Sequence, residues 1–74
     1  MLPARIRLQK NLNYYLRKNN ISCLQLSVRS EVCYSVIYKY LRAETIEPDL
    51  ICIKRIAKAL NVNVSDLLKE EENV

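Results

Sequence analysis

Glu31-Val32-Cys33-Tyr34-Ser35-Val36-Ile37-Tyr38-Lys39-Tyr40-Leu41-Arg42 is the stretch whose reading decides the fold. Drawn as a helix at about 100° per residue, it puts Cys33, Ile37, Tyr40 and Leu41 on one side. Tyr34, Ser35, Tyr38, Lys39 and Arg42 fall on the other. The first side suits a core. The second carries hydroxyls, aromatic rings and two cations, the groups that reach base edges and phosphates when a helix lies in a major groove. Taken alone, the pattern fits an ordinary amphipathic helix with a solvated polar face better. The segments on either side shift the balance towards a recognition helix.

Just upstream, Ser22-Cys23-Leu24-Gln25 has the form of a capping box. The Ser22 hydroxyl can accept from the Gln25 backbone N–H while the Gln25 side chain reaches back to the Ser22 N–H. Ile21 before the cap and Leu26 at the fourth helical position have the spacing of a hydrophobic staple. This helix ends near Ser30-Glu31, a few residues before the next one. A short helix, a tight turn and a second helix make a helix-turn-helix.

Working outward, Leu8, Leu12, Tyr15 and Leu16 share one arc of a first helix, with Arg7, Lys10, Tyr14, Arg17 and Lys18 on the opposite, basic arc. The apolar arc faces the core, and the basic arc can lie along a nucleic-acid backbone or in water. Downstream, Pro48 fixes the chain ahead of a helix starting near Asp49. Leu50, Ile53, Ile56, Ala57 and Leu60 form its core face, opposite Lys54, Arg55 and Lys58. Asn63 is then a cap, Val62 and Leu67 a second staple pair, and Asp66 suits a helix N-terminus. A short fifth helix leads into a frayed acidic tail. With no Gly, and only Pro3 and Pro48 as breakers, helical periods dominate and no strand run or repeat is visible. The expected architecture is all-α, with helices at about 4–19, 22–29, 33–41, 49–60 and 64–71.

At 74 residues the chain is expected to form a single domain, 1–74. A chain of this size buries only about 60–65% of the surface its unfolded form exposes, so its core is small. Half its residues are hydrophobic, which favours a packed fold over disorder. No stretch approaches the roughly 20 apolar residues of a membrane span, and the first residues do not read as a signal peptide. A soluble, cytoplasmic protein is expected.

Twelve Lys and Arg against eight Asp and Glu give a formal net charge of +4, placed unevenly. Arg5, Arg7, Lys10, Arg17, Lys18 and Arg29 all precede the first acid, Glu31, whereas Glu70, Glu71 and Glu72 crowd the other end. Such a field draws a polyanion to one region. Cys23, Cys33 and Cys52 are odd in number and unaccompanied by His, matching neither a zinc half-site nor a secreted disulfide framework. They read as small thiols in a reducing cytosol. No His, no Gly-rich phosphate loop, and acids placed at turns and in the tail leave no constellation for catalysis, metal or cofactor binding. An enzyme is not expected.

The order of these features resembles the DNA-binding domain of the Cro and lambda-type repressor family, also called the Xre group. The resemblance runs from about Leu8 to Leu68. It rests on Ile21-Ser22 opening helix two, Leu26 within it, Val32 in the turn and Ile37 inside helix three. Glu44-Thr45-Ile46-Glu47-Pro48 then leads into helix four, and Ile56-Ala57-Lys58-Ala59-Leu60-Asn61-Val62-Asn63-Val64-Ser65-Asp66-Leu67-Leu68 resembles the family's habitual close. Four positions depart from the pattern. Glu31 and Ala43 stand where members usually carry Gly, Cys33 where they carry a Ser or Thr cap, and Cys23 where many carry a contacting Gln.

The resemblance implies a sequence-specific regulator of double-stranded DNA, most simply a Cro-like repressor from a prophage or mobile element. By it, Tyr34, Ser35, Val36 and Lys39 meet base edges, and Ser22, Cys23, Tyr38, Arg42 and Arg17 meet the backbone. It implies a homodimer on a palindromic site, with Val64, Leu67 and Leu68 as candidates for the dimer surface or for the monomer core. No separate ligand-sensing domain, small-molecule ligand or membrane partner is expected. The alternative is an antitoxin or adaptor that uses the same fold to hold another protein.

Overall fold

The computed structural model describes residues 2–70 as five helices: α1 (Ala4–Lys18), α2 (Cys23–Ser30), α3 (Tyr34–Leu41), α4 (Leu50–Leu60) and α5 (Val64–Leu68). No strand occurs among the described residues. α1 packs on α3 and α5, α2 on α3 and α4, and α4 on α5. Between them lies one cluster built on Leu8, Leu12, Leu26, Ile37, Ile56 and Leu67, all without solvent contact. The periodicity of the sequence accounts for most of this core, because the apolar arcs of α1 and α4 both point into it.

The local start signals have the expected chemistry. Ser22 Oγ accepts from Gln25 N at 3.1 Å and Gln25 Oε1 accepts from Ser22 N at 2.9 Å, closing the capping box. Ile21 packs against the core that holds the buried Leu26. Asp49 Oδ1 accepts from Ile51 N at 3.0 Å and so caps α4. Asp66 Oδ2 accepts from Asn63 N at 2.9 Å at the head of α5, where Val62 packs against the core that holds Leu67.

Every junction between helices contains one residue in the left-handed region: Asn20 (φ 54°), Glu31 (φ 59°), Ala43 (φ 57°) and Asn61 (φ 59°). Three junctions close in the Schellman manner. Ile21 N donates to Leu16 O, Glu44 N to Lys39 O and Val62 N to Ala57 O, all at 2.9 Å. Asn tolerates this conformation, but Glu31 and Ala43 carry a Cβ penalty of about 1–2 kcal/mol each. The α2–α3 turn differs in chemistry. Ser30 Oγ donates to Leu26 O at 2.7 Å and accepts from Val32 N at 3.3 Å, while Ser27 Oγ donates to Val32 O at 2.8 Å. Two hydroxyls thus lock the turn and hold Glu31 in its unfavourable conformation.

Polar residues of α1 close two helix C-termini from a distance. Asn11 Nδ2 donates to Leu67 O at 2.9 Å and Lys69 O at 2.8 Å, and Arg7 Nη1 donates to Leu68 O at 2.7 Å. These bonds capture the last carbonyls of α5, and the chain turns extended at Lys69 (φ −73°, ψ 153°). The helix therefore stops at Leu68, short of the expected 71, and residue 71 lies outside the described residues, as do Glu71 and Glu72 of the expected frayed tail. Arg7 also donates through Nε to Leu2 O at 3.1 Å, so it clamps the fold where a solvated or backbone-contacting cation was expected. Gln9 Nε2 donates to Leu41 O at 3.2 Å, closing α3 in the same way.

Three further residues depart from the expected faces. Tyr14, expected on the outer arc of α1, is half-buried and packs against the core. Cys33 is exposed, not on the core side of α3, because it is the residue before the helix (φ −55°, ψ 136°) and a helical projection does not apply to it. Leu50 is exposed although it falls on the core arc of α4. It is the first helical residue, and side chains there lean back past the helix end, where no other element covers it.

Candidate nucleic-acid interface

α3 is anchored from its inner side. Ile37 is fully buried and Tyr40 nearly so, and the Tyr40 hydroxyl accepts from Asp49 N at 3.1 Å, tying α3 to the head of α4. Burial pushes the Tyr40 phenol above its usual range. With rotation about its axis fixed in this way, α3 turns Tyr34, Ser35, Tyr38, Lys39 and Arg42 to solvent. Val36 is half-buried at the edge of the core, which leaves part of its side chain for contact.

The exposed face is organised along one ridge of the helix, at positions four apart. The Tyr34 and Tyr38 rings stack at 6.1 Å between centroids and 15° between planes, and the Arg42 guanidinium lies 5.4 Å over the Tyr38 ring. Arg42 Nη1 also donates to the Tyr38 hydroxyl at 3.3 Å, and Nε pairs with Glu44 Oε2 at 2.9 Å. The hydrogen bond that Arg42 donates to Glu44, aided by Tyr38, raises the Arg42 pKa further and keeps the guanidinium charged. Tyr34 and Tyr38 remain 46% and 45% exposed, so Tyr38 is a surface residue and does not serve as a lid on the core. Lys39 projects from the same outer face with no acidic partner. Among the described residues Arg42–Glu44 is the one ion pair, so the charge of the other exposed cations is not neutralised by an acid and can attract a polyanion.

At the head of α3, Cys33 makes no side-chain cap. Its Sγ lies 3.3 Å from Ser35 Oγ, and hydrogen bonds from the side chain and backbone of Ser35 lower the thiol pKa. The head of α2 is different. Ser22, Gln25 and Arg17 line one cleft between the end of α1 and the start of α2, so Arg17 stands beside a capped helix N-terminus. A helix N-terminus and a nearby cation together suit a phosphate. Cys23, the first helical residue there, is half-buried, and burial raises its thiol pKa.

Of the expected base-contacting residues, Tyr34, Ser35 and Lys39 are thus brought together on one exposed face with Val36 at its margin. Ser22 and Arg17 gather at the second location, whereas Cys23 packs against the core and does not line that cleft, and Tyr38 and Arg42 extend the first. Of the three dimer candidates, Leu67 is fully buried and belongs to the monomer core, while Val64 and Leu68 are half-buried against it. Sequence reasoning missed the Tyr34–Tyr38–Arg42 stack, although the four-residue spacing signals it, and saw Gln25 only as a cap. It also missed a second basic cleft lined by Arg29, Ser30, Glu31, Arg55 and Lys58, where Arg55 Nη1 donates to Glu31 O at 3.4 Å.

This arrangement defines a helix-turn-helix protein whose second helix presents a polar, aromatic and cationic face. The chain belongs to the family of Cro/C1-type HTH DNA-binding domains, whose model matches residues 11–72. Comparison with curated proteins and with solved structures gave no significant match. The family supports a DNA-binding regulator with double-stranded DNA as its partner. No helix among the described residues is long and apolar enough to cross a membrane.

Proposed function

We propose that the chain is a Cro-like repressor that occupies a palindromic operator as a homodimer and reads it through α3. The observation that carries this reading is the two-sided α3, with Ile37 and Tyr40 fixed in the core and Tyr34, Ser35 and Lys39 left open. Lys39 donates to guanine O6 or N7, Tyr34 and Ser35 donate or accept at base edges, and Val36 touches a thymine methyl. Tyr38 and Arg42 take the backbone beyond. On the far side of the groove, the α2 head with Ser22 and Cys23, joined by Arg17, takes a phosphate.

One such domain reads too few base pairs for useful discrimination, which is why two copies on half-sites about one helical turn apart are part of the proposal. Repression follows by occupancy of the promoter. Selection of bound sequences from a random duplex library, followed by titration of the winner at several salt concentrations, tests it. A palindromic consensus strongly preferred over random DNA is expected. Binding without a consensus that simply fades with salt leaves backbone attraction alone and favours a protein partner, as in an antitoxin or adaptor.

A further inference from the structure

α2 keeps two large aliphatic side chains in water. Leu24 is 62% exposed and Val28 73%, while the opposite side of the same helix buries Leu26 and Ser30. Residues four apart on a helix have their Cβ atoms about 5–6 Å from one another, so Leu24 and Val28 share one row along the outer side of α2. Removing such a row from water is favourable. Its C-terminal end lies beside charge. Arg29, the residue after Val28, lines a cleft of about 480 Å³ between the end of α2 and α4, to which α4 contributes Arg55 and Lys58. Glu31 is the one acid lining it, and among the described residues none of these three cations is in an ion pair. Arg55 is held in place there, with Nη1 donating to Glu31 O at 3.4 Å.

We infer that this surface docks a second protein through an acidic amphipathic helix, whose apolar side chains lie on Leu24 and Val28 and whose carboxylates turn to Arg29, Arg55 and Lys58. Two features select that occupant. Phosphates and carboxylates both match the cleft by charge, but a duplex backbone offers nothing to cover an aliphatic row. An acidic amphipathic helix offers both chemistries, with apolar residues at four-residue spacing and acids on the adjoining row. A second copy docked through the same surface sets cations against cations. None of these five residues is among those proposed to touch DNA, so the inference goes beyond the operator reading.

The test follows the backbone amide NMR signals of the isotopically labelled full chain through two titrations at physiological salt. The first uses a synthetic helical peptide with Leu at four-residue spacing and Glu on the adjoining row, beside a control in which Lys replaces Glu. The second uses a random-sequence duplex. The Glu peptide is expected to move the signals of Leu24, Val28, Arg29 and Lys58, and to bind at least about tenfold more tightly than the Lys peptide. Two double variants separate the apolar from the ionic part, and the same spectra show that each folds. Leu24→Ala with Val28→Ala keeps a helix-favouring residue at both positions, and Arg29→Gln with Lys58→Gln leaves the Arg55 bond in place. Each is expected to weaken the Glu peptide roughly tenfold while losing less than about threefold in duplex affinity. The inference is overturned if the Glu peptide moves the α3 face instead, if it binds no better than the Lys peptide, or if the alanine variant binds it as the parent does. Equal losses of peptide and duplex in the glutamine variant would make the cleft a DNA-backbone contact, and that overturns it too.

Discussion

α2 and α3 begin in opposite ways. The head of α2 is closed by its own residues, with Ser22 and Gln25 exchanging hydrogen bonds and Ile21 packed against the core that holds Leu26. The head of α3 has no side-chain cap, and its order comes from elsewhere: Ile37 in the core, Tyr40 bound to Asp49 N, and Gln9 on the Leu41 carbonyl. The framing helix is specified locally, and the helix proposed to face DNA is specified by tertiary contacts. Fixing α3 from its inner side and its C-terminal end leaves its N-terminal turn and outer side chains to a ligand.

The largest expected effect breaks the tertiary half of that comparison. Ile37→Ala removes a fully buried side chain and should cost roughly 2–4 kcal/mol by urea titration, a large part of the stability of so small a domain. A loss below about 0.5 kcal/mol would mean that α3 is held by something other than its buried face. Lys39→Ala, on the opposite face, should leave the urea midpoint nearly unchanged. It should cost roughly 1–3 kcal/mol in binding at one base position and relax preference there. Weaker binding with preference intact moves Lys39 to a phosphate.

Smaller effects sharpen the local half. Ser22→Ala should cost about 1 kcal/mol, since it opens the capping box without touching the core. At the other end of α3, Ala43→Gly should stabilise by roughly 0.5–1 kcal/mol. Relief of the left-handed penalty outweighs the extra freedom of Gly in the unfolded chain. No gain at Ala43 would show that the Schellman closure by Glu44 N, rather than conformational preference, decides that junction.

The same division explains what the sequence could reveal. Caps and staples lie within a few residues of one another, so Ser22–Gln25 and Asn63–Asp66 were readable with no knowledge of the fold. So were the arcs of α1 and α4, whose period is set by the helix itself. The special backbone conformation at Glu31 and Ala43 was visible only through the family resemblance, because neither side chain announces it. Bonds such as Asn11 to Leu67 O span 56 positions, and nothing in an isolated α1 says which carbonyl its amides will meet. That is why Arg7 read as a surface cation and α5 as a longer helix. Cys33 was misplaced because helical geometry was extended one residue too far. At the interface, exposure of the α3 face was legible, but the link from Tyr38 through Arg42 to Glu44 depends on how the loop after α3 folds back.

The subtlest test concerns Cys33, where the uncapped head of α3 meets solvent. Hydrogen bonds from Ser35 favour the thiolate and lower its pKa in the folded chain, whereas burial raises that of Cys23. The lowered value stabilises the fold above the pKa of the unfolded thiol, and this contribution disappears as pH falls through the folded value. Alkylation by iodoacetamide reports the thiolate directly. The rate–pH profile of Cys33 should therefore rise at lower pH than that of a denatured sample, and that of Cys23 at higher pH. Cys33→Ser should raise the urea midpoint slightly, because a hydroxyl caps where the thiol does not. Bound operator should slow alkylation at Cys33 if the head of α3 enters the groove; an unchanged rate at saturating DNA would turn the opposite end of α3 toward the bases.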